Sequence, residues 1–156
     1  MNDVDELFER HFARLVRSLA VAFDAESAAD AVQEAFIAAD RRWSKVSRYD
    51  DAAAWVRRVA LNRLLNGRRN RRRRREILDG IRPVPDADLS AELLDLRAAI
   101  GQLADRQRLA ICLYYLGGLS IAEIAGDLDV AEGTVKSNLH DGRTRLRQLL
   151  GEEAHD

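Results

Sequence analysis

Both prolines of this 156-residue chain stand within three positions, Pro83 and Pro85. Proline lacks the backbone N–H and its ring clashes with the preceding turn, so neither suits a helix interior or a central strand. With Gly80 they make "EILDGIRPVPDADLS" poor helix and poor core, and residues 77–89 are expected to be a linker. On either side the apolar pattern is helical. Leu7, Phe8, Phe12, Leu15, Val16, Leu19 and Phe23 recur at three- and four-residue steps. A second helix is expected to start near Ser27, with Asp30 three residues on in a box-like arrangement. Its apolar positions are Val32, Phe36, Ala39 and Trp43. Asp50 or Asp51 is placed to cap a third helix that carries Trp55, Val56, Val59, Ala60 and Leu64. Past the linker, Ser90 is placed to cap a helix with Leu93, Leu96, Ile100 and Leu103 on one face. Further helices are expected over about 105–116, 120–128 and 132–150. No stretch reads as a strand, and no internal repeat stands out. The expected fold is therefore all-α. Two small helical domains, residues 1–76 and 90–156, are joined by a flexible linker, residues 77–89, and the second is a helix-turn-helix.

The charge is segregated. Residues 1–40 hold nine acids and three bases, residues 41–75 fourteen bases and two acids, and residues 76–156 eight bases and fifteen acids. The formal net charge of −1 hides a basic block between two acidic ones, the pattern of a polyanion contact. Within it, "NGRRNRRRRRE" places seven arginines over Arg68 to Arg75, broken only by Asn70. Arginines grip phosphate oxygens without reading bases. A solvated charge run without contacts is the alternative reading.

Other classes are poorly supported. No apolar run approaches the roughly 18 residues of a membrane span. The acidic, amphipathic start "MNDVDELFERHF" is no signal peptide, so the chain is expected in the cytoplasm without membrane insertion. One cysteine, Cys112, precludes an internal disulfide, and its run "LAICLYYL" reads as core. His11, His140 and His155 are far apart, with no Cys or His at ligand spacing, so no metal or other cofactor is expected. Clustered carboxylates suited to nucleic-acid hydrolysis are absent, and no catalytic residue is assigned.

The most informative stretch is "LSIAEIAGDLDVAEGTVKSNLHDGRTRLRQLL". Ser120 and Glu123 form a capping box in which each side chain takes the other's backbone N–H. Ile121, Ile124, Ala125 and Leu128 make an apolar face, and the small Ala125 permits a close helix crossing. Asp129 and Val130 occupy a turn, and Val135, Leu139 and Leu146 form the inward stripe of the next helix. Thr134, Lys136, Ser137, Asn138 and Arg143 are left facing outward, a set that suits a DNA major groove. A plain helical hairpin with a solvated polar face is the other reading.

Three stretches in order resemble the extracytoplasmic-function sigma factors, small two-domain specificity subunits of bacterial RNA polymerase. "ADAVQEAFIAADRRW" is similar to the family's acidic polymerase-binding helix, through Asp30, Val32, Gln33, Glu34 and Phe36. "AAAWVRRVALNRLLNGRRNRRRR" resembles its promoter-melting helix, through Trp55, Val59, Ala60, Asn62 and the arginine run. The stretch from Leu103 to Leu150 resembles its second DNA-binding domain, and the likeness spans nearly all of residues 5–150.

The resemblance implies the following assignments. Asp30, Gln33, Glu34 and Phe36 would bind core RNA polymerase, whose beta and beta-prime subunits are the expected partners. Val46, Ser47, Arg48, Tyr49, Asp50 and Asn62 would form a pocket for a flipped base of the −10 element. Arg58, Arg68, Arg69, Arg71 and Arg72 would hold the adjoining strand. Glu132, Thr134, Lys136, Ser137, Asn138 and Arg143 would meet the −35 element. Family members are commonly held by an anti-sigma factor, which adds a further expected partner.

Some positions depart from the family pattern. Asp141 stands where another basic residue is frequent, Ala131 where serine or proline is common, and Asp129 where glycine is common. Weak or unusually selective upstream binding is expected from these changes, with the fold retained. The competing function is a free-standing helix-turn-helix regulator, which would need a dimer interface or ligand pocket that the sequence does not display.

Overall fold

The computed structural model describes residues 3–77 and 91–151, and for residues 68–77 the backbone alone. All regular structure among the described residues is helical. Helix α1 (Val4–Ala22) is capped by Asp3, whose Oδ1 accepts the Glu6 N–H at 3.0 Å. Helix α2 (Ala25–Arg41) starts two residues before the expected Ser27, because Asp24 takes the Ser27 N–H at 2.7 Å and so becomes the cap. Trp43 does not extend α2 but opens the short α3 (Trp43–Val46). Asp51 accepts the Ala54 N–H at 3.0 Å and launches α4 (Ala52–Ile77). This helix runs through the whole arginine tract, so Ile77 closes a helix rather than opening a linker.

α1 and α2 form a helical hairpin, and α4 packs across it. Leu15, Leu19, Val32, Phe36, Val56, Leu61 and Leu64 fill the interior, while the buried Ala28, Ala31, Ala35 and Ala39 let the helices approach closely. Phe8 and Phe12 stack at 4.3 Å between centroids, and Phe8 meets the Phe36 ring edge-on at 5.1 Å.

The second unit contains α5 (Ala91–Gly101), α6 (Asp105–Ile111), α7 (Ile121–Leu128) and α8 (Glu132–Leu150). α6 does not continue regularly to 116. Residues Cys112–Leu116 form a π-helical turn, closed by Gly117 donating to the Cys112 carbonyl at 3.0 Å. Cys112 is fully buried, and that burial pushes its thiol pKa up to about 12. The expected single apolar face of α5 is split. Ile100 and the following Leu103 are buried, whereas Leu93 and Leu96 are exposed. Tyr114 and Tyr115, read as apolar run, also face outward, because the widened turn rotates them off the interior. The proposed Ser90 cap and most of the 77–89 segment lie outside the described residues.

α7 keeps its capping box, with Glu123 N–H to Ser120 Oγ and Ser120 N–H to Glu123 Oε1 both at 3.0 Å. Asp129 ends it in the left-handed region at φ 56°, ψ 50°, a conformation an aspartate tolerates better than most residues. α8 crosses α6 closely at Gly142, where an added Cβ would lie 2.9 Å from Ile111 Cγ1.

The two units are packed together. α1 contacts α5, α6 and the π-turn, and α4 contacts α7. No helix among the described residues is long and apolar enough to cross a membrane.

Candidate nucleic-acid interface

Three surfaces carry the residues singled out by sequence. On α2, Asp30, Gln33 and Glu34 are exposed at i, i+3 and i+4. Ile37, 44 % exposed, extends the same stripe by one turn, an apolar residue that sequence reading left out. Phe36 does not belong to it. The ring is buried, edge-on to Phe8 and tilted against Phe12, since α2 must turn one side onto α1. Glu34 lies 3.7 Å from Arg63 of α4, both about half exposed, a pair of little energetic weight.

The second surface is the α3–α4 connection and the outer side of α4. Ser47, Arg48, Tyr49 and Asp50 are exposed, and Tyr49 is the large apolar group among them. Val46 is 1 % exposed, so its side chain anchors the loop in the core and is not available to a base. Trp55, Arg58 and Asn62 follow at i, i+3 and i+7 along α4. Trp55 packs partly into the core, while Arg58 and Asn62 are exposed. The arginine tract continues this helix. The side chains of Arg68, Arg69, Arg71 and Arg72 lie outside the described residues.

The third surface is α8. Glu132, Lys136 and Ser137 are exposed, and Thr134 and Asn138 are half-buried. Arg143 is also half-buried, and its Nη1 donates to Tyr115 Oη at 3.2 Å. Lys136, His140, Arg143 and Arg147 fall at i, i+4, i+7 and i+11, so one edge of α8 is a basic stripe. His140 and Arg147 are absent from the sequence-based assignments. Their spacing was the available signal. Ala131 occupies the N-cap position of α8 without any side-chain hydrogen bond.

Arg57, absent from the sequence-based assignments, is the least expected participant. It is buried, and its Nε donates to Asp127 Oδ2 of α7 at 2.7 Å. Arg58 Nε reaches Asp127 Oδ1 at 3.3 Å, and Arg57 Nη2 lies 3.8 Å from Glu123 Oε2. Beside this cluster a cavity of about 190 Å³ opens between the units, lined by His11, Arg14, Ser18, Arg57, Leu113 and Glu123 among others. Burial, reinforced by Arg57, holds His11 below its ordinary pKa. No trio of His, Cys, Asp or Glu among the described residues is arranged to hold a metal ion.

Comparison with known proteins matches this layout. Residues 7–74 match the family profile of Sigma-70 region 2, and residues 93–146 that of Sigma-70, region 4. The chain is 36 % identical over 151 residues to the ECF RNA polymerase sigma factor SigM of Mycobacterium tuberculosis, covering 94 % of this chain and 76 % of that protein. It is 35 % identical over 158 residues to the ECF RNA polymerase sigma factor SigL of the same species, covering 94 % and 88 %. Among solved structures, the sigma factor RpoE in complex with the anti-sigma factor NepR from Bartonella quintana superposes with a TM-score of 0.80 at 25 % identity. That match covers 97 % of this chain and 98 % of the other.

Proposed function

The chain belongs to the ECF RNA polymerase sigma factors, and on that footing we propose how its residues share the work of promoter-specific initiation. As a sigma factor it is a regulatory subunit, and its partners are core RNA polymerase and promoter DNA. The carrying observation is that one chain presents an acidic helix, α2, and two helices with basic faces, α4 and α8, in the order of regions 2 and 4.

The division into units at 1–76 and 90–156 supports two separate tasks. Asp30, Gln33, Glu34 and Ile37 form the face that docks on core RNA polymerase. Ser47, Arg48, Tyr49 and Asp50, together with Asn62 of α4, receive a flipped base of the −10 element. Val46 holds that loop in place from below. Flipping costs a few kcal/mol of stacking and pairing, which a preformed pocket offsets. The arginine tract grips phosphates beside the opened strand. On α8, Glu132, Thr134, Lys136, Ser137, Asn138 and Arg143 approach the −35 element, and the stripe continues to Arg147. Phosphodiester chemistry rests with the polymerase, and the protein works beside it in the cytoplasm. An anti-sigma factor is a further partner, supported by the likeness to RpoE in its complex with NepR.

The test is transcription initiation. Purified protein is added to sigma-free bacterial core polymerase on a library of promoter fragments, and the transcripts are sequenced. Specific start sites are expected, and Gln33→Ala/Glu34→Ala should abolish them. Tight, sequence-specific DNA binding by the protein alone, with no transcripts, would favour a free-standing regulator instead.

A further inference from the structure

Asp127 has no place on the DNA-reading face of α8. It sits on α7, and its carboxylate is 1 % exposed between Arg57 and Arg58 of α4. Arg57 is itself 10 % exposed, and it meets Asp127 through Nε–Oδ2 at 2.7 Å and Nη2–Oδ1 at 3.5 Å. That fork is the geometry by which a guanidinium holds a carboxylate or a phosphate. Glu123 adds a second carboxylate at 3.8 Å. The helices also approach closely there, since a Cβ on Gly126 would lie 3.4 Å from Arg58 Nη2. Two arginines of the DNA-facing helix are thus occupied by acids of the other unit.

This arrangement sets a carboxylate where a strand phosphate would have to bind. While Arg57 and Arg58 donate to Asp127 at 2.7 and 3.3 Å, those guanidinium N–H groups are not free for a phosphate.

We infer that Arg57 and Arg58 form a phosphate-binding pair for promoter DNA, and that Asp127 occupies this pair as an internal competitor when the units are packed. The inference rests on the sigma-factor reading of α4 as a DNA-facing helix. Release of Asp127 and capture of a strand are then the same exchange, carboxylate for phosphate on one guanidinium fork. The apparent affinity for DNA is lowered by the fraction of chains in which the fork is filled.

The two charge-removing substitutions Asp127→Asn and Arg57→Gln, singly and together, test this in the full chain. The probe is a fluorescein-labelled oligo(dT) of twenty nucleotides, titrated at several salt concentrations. Asp127→Asn is expected to raise affinity about tenfold and to steepen the salt dependence by one to two phosphate contacts. In the Arg57→Gln background the same substitution should gain less than about twofold, because the contested site is gone. An equal gain in both backgrounds would mean that Asp127 acts only as general negative charge, and would overturn the inference. So would no gain in either. Far-ultraviolet circular dichroism checks that each variant is folded. Capture of core polymerase by the wild-type chain is measured in parallel. Its failure would count against the sigma-factor reading, separately from the outcome of the four titrations.

Discussion

Arg108 of α6 donates from Nε to the carbonyl oxygen of Ala22, the last residue of α1, at 2.8 Å. The guanidinium is 6 % exposed at the residue level, and it also serves the Leu103 carbonyl at 3.0 Å and Asp105 Oδ1 at 2.8 Å. One side chain therefore closes the end of a helix in the first unit and braces the α5–α6 turn in the second. The carbonyl at the C-terminus of α1 lacks a helical partner and carries the negative end of the helix dipole, so a cation is favoured there.

Removing that cation strands buried acceptors. Arg108→Gln is expected to destabilise the protein by about 3 kcal/mol, given three short charge-assisted bonds and the desolvated carbonyls left behind. Arg108→Lys should recover less than half, because a single ammonium cannot serve three divergent acceptors. Urea unfolding followed by circular dichroism measures both. Equal stability of the lysine variant and wild type would show that charge alone, without the fork, suffices.

Ala131 leaves the N-terminus of α8 uncapped. Its backbone is already in the extended conformation of a cap, at φ −70° and ψ 150°. Ala131→Ser is therefore expected to stabilise the protein by about 1 kcal/mol. The melting temperature should rise by roughly 3 °C. An unchanged midpoint in differential scanning calorimetry would show that solvent already satisfies these N–H groups as well as a hydroxyl does.

His11 makes stability depend on pH near neutrality. Burial, then Arg57, Arg10 and Arg14, lower its pKa from 6.5, while Asp51 opposes them, and Glu123 faces it across the cavity. A lowered folded value means that the folded state binds fewer protons than the unfolded chain. Its contribution is therefore complete above about pH 6.5 and is lost as pH falls through the folded value. The urea midpoint should drop between pH 8 and pH 5.5, and His11→Gln should flatten that drop. An identical pH profile for the variant would assign the drop to other groups.

Much of this organisation is legible locally. The Ser120–Glu123 box, the Asp51 cap and the helices at 121–128 and 132–150 appear where their spacing put them, because each depends on partners within four residues. The start of α2 was misplaced for the same kind of reason. Two candidate caps, Asp24 and Ser27, lie three residues apart, and only the chain direction after α1 selects between them. The family resemblance groups Phe36 with Gln33 and Glu34, but its ring is buried against α1, and a helix face can be placed only when its partner helix is known.

By itself the sequence determined that the chain is helical, that it contains a helix-turn-helix, and that acidic and basic faces alternate along it. These follow from short-range periodicity, capping and charge. Only the tertiary structure decided that the units pack together, that Arg57 faces Asp127, and that Arg108 ends α1. Those partners are 70 and 86 residues apart. A guanidinium on a helix surface carries no local mark of which carboxylate or carbonyl it will meet. That choice is made when apolar faces from distant segments are buried against one another and the remaining polar groups must be satisfied in place.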